Sequence, residues 1–537
     1  MKTHEVANQA PARTGLDEYE ANIALREGVE TYSGPGAAAR LHHIGHRVGS
    51  SAFQRDAVRA NRVEPVLQTH DRYGRQLDEV EYDPAYHRII GAALADGAHT
   101  GAFREPGPGA SVVRATAFML YAQVEPGHAC PVSMTHAAVP VIAQHDELAR
   151  EWMPRLLSND YEPDLAPGKR SALFGMAMTE KQGGSDVRAG TTVARPIGGD
   201  EYELTGHKWF CSAPMSDAFL VLAQAPGGLS CFLLPRLLPD GSHNEIRIRR
   251  LKDKVGNRAN ASSEVEYEGA RAHLVGEEGR GVRTIIEMVT RTRLDSVLGS
   301  TAGMRQATAE AAWHVRHRAA FGARLIDQPL MTQVIADLQL ETEAATATSL
   351  RLARAYDEDT TAEEVAFRRL ATAVAKYWIC KRGPGHAYEA MECLGGNGYT
   401  EAFPLGMRYR EQPVMAIWEG SGNVIALDVL RALSRDPQSF EAFDAELARS
   451  AGADRRLDAH VRRTRELIGE LSRDDARDAR ARELVTALAL AVQGSLLVRA
   501  APPSVADAFI GSRLGGDGHL SGVLPLGTDA ASIAARA

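Results

Sequence analysis

The densest chemistry in this 537-residue chain lies in the string Ala177-Met178-Thr179-Glu180-Lys181-Gln182-Gly183-Gly184-Ser185-Asp186-Val187-Arg188-Ala189. Paired glycines beside Thr and Ser let main-chain N–H groups come close to an anion or a carbonyl-rich ring, and the hydroxyls add short donors. The same Gly-Gly-Ser-Asp residues also make an Asx-type turn in any loop, so local chemistry leaves both readings open. A second focus is Ile417-Trp418-Glu419-Gly420-Ser421-Gly422-Asn423. A carboxylate in a water-poor pocket has a raised pKa and becomes a usable base toward a carbon acid. A Glu ahead of Gly at a helix start is equally a capping or dipole device.

Other chemistries find no anchor. The chain contains no G-x-x-x-x-G-K-[ST] string, and no G-x-G-x-x-G lies between a predicted strand and a helix, which removes the nucleotide-hydrolase and Rossmann readings. His42, His43 and His46 have no matching ligand set, so no metal site is expected there. Five cysteines without C-x-x-C spacing suit a reducing cytosol, and a cytoplasmic location is expected. A net charge of −8 argues against global attraction to nucleic acid or anionic lipid. No signal core and no run of about 18 apolar residues occurs, so no membrane partner is expected. The longest candidate, Leu484 to Val498, is broken by Gln493, Gly494 and Ser495 and reads as a buried helix.

The elements that must position these residues follow from patterning. Hydrophobic content of 44% allows a large core, and aromatic content of 6% argues against a mainly β protein. Residues 1–170 carry helical periodicity, as at Tyr86 to Leu94 and Val112 to Val124. Residues 171–274 change to short β-rich runs, Tyr202 to Thr205, Phe219 to Ala223, Ser230 to Leu234 and Glu264 to Tyr267, separated by turn signals. Residues 275–435 return to long helical segments, Val282 to Thr290, Ala302 to Arg318, Gln333 to Tyr356 and Ala362 to Cys380, whose lengths suit an antiparallel bundle. Residues 436–537 form a helical extension rich in Ala, Arg, Asp and Glu, with a Gly-rich, less regular tail from Leu514. The class expected is α+β, in the order helical, β, helical bundle, helical extension.

The string at Ala177 to Ala189 resembles the first signature of the acyl-CoA dehydrogenase family, which implies that Met178, Thr179, Gly184 and Ser185 contact FAD. Gly206-His207-Lys208-Trp209-Phe210-Cys211-Ser212 resembles the family strand that packs against the flavin ring, with Phe210 where Trp is frequent and Ser212 where Thr is frequent. An aromatic wall and a hydroxyl are both preserved. Arg318-Ala319-Ala320-Phe321-Gly322, followed by Gln328, resembles the R-x-x-F-G motif that reaches the FAD of a neighbouring subunit. The resemblance therefore implies that Arg318, Phe321 and Gln328 bind cofactor and that oligomerisation completes the site.

Glu392-Cys393-Leu394-Gly395-Gly396-Asn397-Gly398-Tyr399 resembles the second signature, in which Gly395 and Gly396 approach the adenosine-pyrophosphate half of FAD; a helix C-cap is the plainer reading. Beyond it the chain departs from the pattern, with the acidic and basic residues one place out of register at Glu401 and Arg408. Ile417 to Asn423 resembles the family's Y-E-G-T-S-Q segment, which implies Glu419 as the base that deprotonates the acyl thioester, with Trp418, Ser421 and Asn423 beside the cofactor. Arg293 stands where the family contacts CoA; an inter-helix ion pair remains open for it.

Over its full length the chain is most similar to the AidB, or alkylation-response, branch of that family. What this implies is a homotetramer that oxidises an acyl-CoA-type substrate and passes electrons to an electron-transfer flavoprotein or to oxygen. The alternative within the same branch is a DNA-binding protective flavoprotein with weak dehydrogenase activity, its extension contacting double-stranded DNA. The arginines of that extension alternate with acids at one to four residues, the spacing of self-paired helix faces, so composition itself points to no cationic patch.

Overall fold

The structure, a computed structural model, describes residues 4–357, 360–515 and 521–537. Helices begin where the sequence supplies caps. Asp83 accepts a 2.8 Å bond from the Ala85 amide ahead of Pro84, and the apolar run behind it forms the helix Pro84–Ala95. Thr361 accepts from the Glu364 amide at 3.3 Å and opens the helix Ala362–Glu392. That helix continues past Cys380 through Pro384, whose ring-fixed φ suits a helix although one backbone bond is lost. The segments expected separately at Val282 to Thr290 and Ala302 to Arg318 are one helix, Gly281–His317. No proline separates them, and the one glycine between them, Gly299, costs only about 1 kcal/mol.

By its contacts the chain forms two compact units: one holds residues up to 54, 107–124 and 296 onward, the other 55–106 and 125–295. The first unit is helical. Helices Pro329–Arg354, Ala362–Glu392 and the later part of Gly281–His317 share a core of Ala307, Val315, Ile335, Leu338, Ala390 and Leu405. Alanine at so many facing positions lets the backbones pack closely. Leu497, Phe509 and Ile533, from helices Ala481–Ala500, Pro503–Arg513 and Ala530–Ala535, belong to the same core, so the extension is built onto the bundle. Buried ion pairs reinforce that seam: Glu446 with Arg351 at 2.9 Å, Arg513 with Asp337 at 2.6 Å and Arg536 with Glu343 at 2.6 Å.

Among the described residues, one helical stretch, Arg477–Ala500, is long and apolar enough to cross a membrane, and 67% of that window is buried within the protein. Its polar interruptions have core partners: Gln493 Oε1 accepts from Trp378 Nε1 at 2.9 Å, and the Ser450 hydroxyl donates to Ser495 at 2.9 Å. The tail expected to be irregular from Leu514 lies partly outside the described residues, and its end is the helix Ala530–Ala535, docked through Arg536.

The second unit carries the sheet. A hairpin, β1 (Val66–His70) and β2 (Gln76–Glu81), interrupts the helical N-terminal stretch. A seven-stranded sheet follows: β3 (Phe174–Ala177), β4 (Val193–Gly198), β5 (Glu201–Ser212), β6 (Ala218–Ala225), β7 (Gly228–Pro235), β8 (Ile246–Leu251) and β9 (Ser262–Val275). Strands β6, β4, β5, β9 and β7 close into a ring, with β3 added on β6 and β8 on β9. Closure removes most exposed edge groups. Phe232, Leu204, Val221 and Leu234 fill one face, while Leu220, Leu222 and Leu233 on the other pack against the helices Ala129–Ile142 and Asp146–Leu156.

Candidate functional site

Two sets of residues carry the chemistry, one in each unit. In the β unit the decisive element is β5. Its buried positions alternate through Tyr202, Leu204 and Lys208, and the next buried residue, three places on, is Cys211, because the pairing with β9 slips between Lys208 and Cys211. Such a bulge re-aims side chains. It leaves Phe210 52% exposed while Cys211, the next residue, is buried. The Trp209 amide donates to the Thr179 carbonyl at 2.8 Å, which ties the loop after β3 to the bulge. Met178 and Thr179, partly buried, therefore lie beside Phe210, with Gly184 folded back over Thr179: a Cβ at Gly184 would fall 2.4 Å from Thr179 Oγ1. Ser185 is exposed, and the Ser212 hydroxyl lies 3.3 Å from that of Ser262.

What fixes this loop is a buried ion pair. Glu180, 2% exposed, accepts from Lys208 Nζ at 2.7 Å, from Thr192 Oγ1 at 2.7 Å and from the Thr191 and Thr192 amides at 2.7 and 3.1 Å. Burial by itself would raise its pKa, but Lys208 and the threonine donors outweigh it and hold the carboxyl well below the usual range. Lys208 also donates to the Leu222 carbonyl at 2.8 Å. The sequence motif contains both residues, yet their separation of 28 positions gives no spacing signal for the pair. Arg293, of the same unit, is buried on the helix Gly281–His317.

In the helical unit, Arg318, Phe321 and Gln328 come together at a tight hairpin. Ala320 pairs with Ala323, and Phe321 and Gly322 between them have φ of +54° and +82°, as a two-residue I′ turn requires. A bulky residue in this region costs about 1–3 kcal/mol. Phe321 is nevertheless 100% exposed. Arg318 donates to the Asn8 carbonyl at 2.8 Å, Asn8 exchanges two bonds with Ala319, and Gln328 Nε2 donates to the Ala320 carbonyl at 3.2 Å. The next residue, Gln9, accepts from Asn397 Nδ2 at 3.4 Å. One N-terminal dipeptide thus tethers the hairpin and the Gly395–Gly396 turn side by side. Gly395 has φ +59°, and neither glycine has an atom within 4 Å of a Cβ position. The displaced Glu401 pairs with Arg410 at 2.6 Å.

The segment 417–423 has a different build. Glu419 adopts φ +57° and Gly420 φ +107°, so the chain turns sharply at the carboxylate. Lys376 Nζ, on a residue 1% exposed, donates to the Gly420 carbonyl at 2.6 Å. Trp418 Nε1 is buried without a partner. Ser421 N-caps the helix Gly422–Arg435 without using its hydroxyl as a cap, and Asn423 Oδ1 accepts from Arg482 Nε at 2.8 Å. Asn8, Gln9, Lys208, Lys376 and Arg482 escape sequence reasoning because each acts across a long separation.

Each unit by itself presents features that suit a flat or hydrogen-bonding ligand. Phe210 presents an uncovered aromatic face, the open cradle at Gly395 admits close backbone approach, and the Trp418 indole and Ser421 hydroxyl have capacity to spare. His42 and His46 instead reach Asp17, at 2.6 and 3.5 Å. In the extension, Arg456 pairs with Asp454 and Asp507, Arg463 with Glu466 and Glu470, Arg465 with Asp444, and Arg480 with Glu470 and Glu483.

Comparison with known proteins places the whole arrangement. Residues 8–163 match the N-terminal domain of the adaptive response protein AidB, 175–270 the acyl-CoA dehydrogenase middle domain and 279–434 the acyl-CoA dehydrogenase C-terminal domain. AidB of Escherichia coli (strain K12) is 44% identical over 512 residues, covering 95% of this chain and 94% of that one. Acyl-CoA dehydrogenase family member 11 of Caenorhabditis elegans is 30% identical over 453 residues, 80% of this chain and 72% of that one. The crystal structure of Caenorhabditis elegans ACDH-11 in complex with C11-CoA superposes with a TM-score of 0.86 at 27% identity, covering 95% of this chain and 92% of that one. With a β-barrel-like middle domain between helical segments, and matches along nearly its entire length, the chain belongs to the AidB branch of the acyl-CoA dehydrogenase family of oxidoreductases.

Proposed function

We propose that this protein is a cytoplasmic, FAD-dependent oxidoreductase that introduces an α,β double bond into an acyl-CoA thioester, with Glu419 as the base. The observation that carries the reading is the build of Glu419: a non-glycine residue held at φ +57°, its following carbonyl fixed by the buried Lys376. Strain of that kind persists where surrounding structure over-determines it.

The carboxylate of Glu419 accepts the α-proton of the thioester, and a backbone N–H at the same residue hydrogen-bonds the thioester carbonyl and stabilises the developing enolate. FAD, when bound, supplies the two-electron acceptor that takes the β-hydrogen as hydride. In the β unit Thr179, Ser185 and the main chain of Gly184 would hold FAD, with Phe210 as an aromatic wall and the Ser212 hydroxyl as a donor. In the helical unit the residues that would hold FAD are Trp418, Ser421 and Asn423. Arg318, Phe321 and Gln328 would serve the cofactor of a neighbouring copy in a homotetramer, Gly395 and Gly396 would approach the adenosine-pyrophosphate half of FAD, and Arg293 would contact the CoA portion. Support for a second copy is the full exposure of Phe321 together with 83% exposure of Leu330. A CoA ester is supported by the C11-CoA held in the nematode relative. Electrons leave to an electron-transfer flavoprotein or to oxygen.

The test is an anaerobic titration with a panel of acyl-CoA esters. Wild type should bleach its flavin absorbance, and Glu419→Gln should keep the yellow complex but fail to bleach; undiminished bleaching removes Glu419 from the role. The alternative, a protective DNA-binding flavoprotein with vestigial dehydrogenase chemistry, rests on likeness to AidB. Ion pairing of Arg456, Arg463, Arg465 and Arg480 weighs against it, because phosphate contact needs uncompensated cations, whereas Arg455, Arg462, Arg473 and Arg477 form no ion pair among the described residues. A salt-dependent gel shift of duplex DNA decides it.

A further inference from the structure

Trp209 and Phe210 fall where the pairing of β5 slips. Lys208 stands opposite Val265 of β9 and Cys211 opposite Ser263, so the two aromatic residues share the stretch of β9 that holds one residue, Glu264. On its other edge β9 pairs with β8, and there Arg250 is opposite the same Glu264. The strand order thus brings an aromatic pair and the end of β8 together over one carboxylate.

Lys252, one residue past β8, completes the arrangement. Its side chain is 12% exposed, and its Nζ lies 3.4 Å from the centroid of the Trp209 ring and 4.6 Å from that of Phe210. Arg250 Cζ and Lys181 Nζ stand farther from the Trp209 ring, at 5.7 and 5.6 Å, and both residues are exposed to screening water. Glu264 accepts from Lys252 at 2.7 Å and from Arg250 at 2.6 Å. One carboxylate among three cations leaves the aromatic pair in a positive field, to which the shielded ammonium of Lys252 contributes most.

A flavin that takes up two electrons and one proton becomes one unit more negative, so a fixed positive charge near its ring favours the reduced form. We propose that Lys252, acting through Phe210, raises the redox potential of the flavin. Lys252 is thus a positioning residue, which places charge behind the aromatic wall. The proposal rests on the flavin reading above, and specifically on Phe210 lying against the ring.

The potential of the FAD-loaded full-length protein is read by slow anaerobic reduction against reference dyes. Lys252→Met keeps the length of the side chain and removes its charge; it should disfavour the reduced flavin by about 10-fold, a fall of about 30 mV for a two-electron couple. Lys252→Arg keeps the charge and should stay close to wild type. Glu264→Gln tests the same field without touching Lys252 and should move the potential the opposite way, upward, because it removes the balancing anion. An unmoved potential in Lys252→Met, a fall in Lys252→Arg as large as in Lys252→Met, or shifts of the same sign in Lys252→Met and Glu264→Gln overturns the proposal, since a purely structural role would not follow the sign of the charge. Phe210→Ala separates the two levels. Visible circular dichroism of the bound flavin should change when a wall of its ring is removed; an unchanged spectrum means that the flavin does not lie against Phe210, and the reading fails together with the proposal. A changed spectrum with an unmoved potential in Lys252→Met overturns Lys252 alone.

Discussion

The ammonium of Lys376 and the carbonyl of Gly420 meet at 2.6 Å inside the helical unit, one residue past the left-handed Glu419. The bond fixes a glycine peptide that would otherwise be among the freest in the chain, and with it the direction of the Glu419 carboxylate. A hydrogen bond from a charged donor contributes about 1.5–3 kcal/mol, and small misplacements of a catalytic group cost about 100-fold. Lys376→Met should therefore slow flavin reduction by acyl-CoA by about 10- to 100-fold while FAD content stays near wild type, as measured by stopped-flow absorbance. Loss of FAD in parallel would show that Lys376 supports the fold of the whole segment.

The pair Lys208 and Glu180 carries the cofactor loop of the β unit. Removing one partner leaves a buried charge unpaired, at a cost of about 3–5 kcal/mol, whereas replacing both with apolar groups is far milder. Lys208→Met alone should lower the urea midpoint sharply, and the double variant Lys208→Met with Glu180→Leu should recover much of it yet still bind FAD poorly, since the Thr191 and Thr192 amides lose their acceptor.

The seam between bundle and extension should be acid-labile. Glu446 and Glu341 are both pulled down to about 2 from an ordinary 4.5: burial would raise them, but Arg351 and Arg499 on the one, and Arg382 and Arg513 on the other, outweigh it. A carboxyl depressed in the folded state contributes its full stability above the unfolded pKa and loses it as pH falls through the folded value. Stability should thus be level above about pH 5 and decline between roughly 4.5 and 2, each group contributing about 3 kcal/mol at most. Glu446→Gln should flatten part of that decline in melts taken across the range.

Phe321→Asp should shrink the assembly. An exposed phenylalanine at a strained turn is explained if a second copy covers it, and a charge there would oppose that contact. Sedimentation velocity should show smaller species with reduced FAD content, and an unchanged sedimentation coefficient would remove Phe321 from the interface.

The thiols should be silent. Burial pushes Cys380 up to about 11 and Cys211, Cys231 and Cys393 to about 12, so none offers thiolate near neutrality. A thiol-reactive chromophore should modify no more than Cys130, the one cysteine that is not fully buried, until denaturant exposes all five.

Local sequence determined the elements and the motifs. Caps at Asp83 and Thr361, alternation through β5 and the paired glycines at Gly183 and Gly184 act over a few residues, where spacing is informative. Tertiary structure decided what those motifs rest on. Lys208 reaches Glu180, Asn8 reaches Ala319, Lys376 reaches Gly420 and Arg482 reaches Asn423 across tens or hundreds of positions, and no periodicity encodes such pairings. The slip in β5 that turns Phe210 outward depends on its register with β9, which only the closed sheet sets. Short-range forces write themselves into neighbouring residues; the placing of charge and strain around a site is settled when distant segments pack.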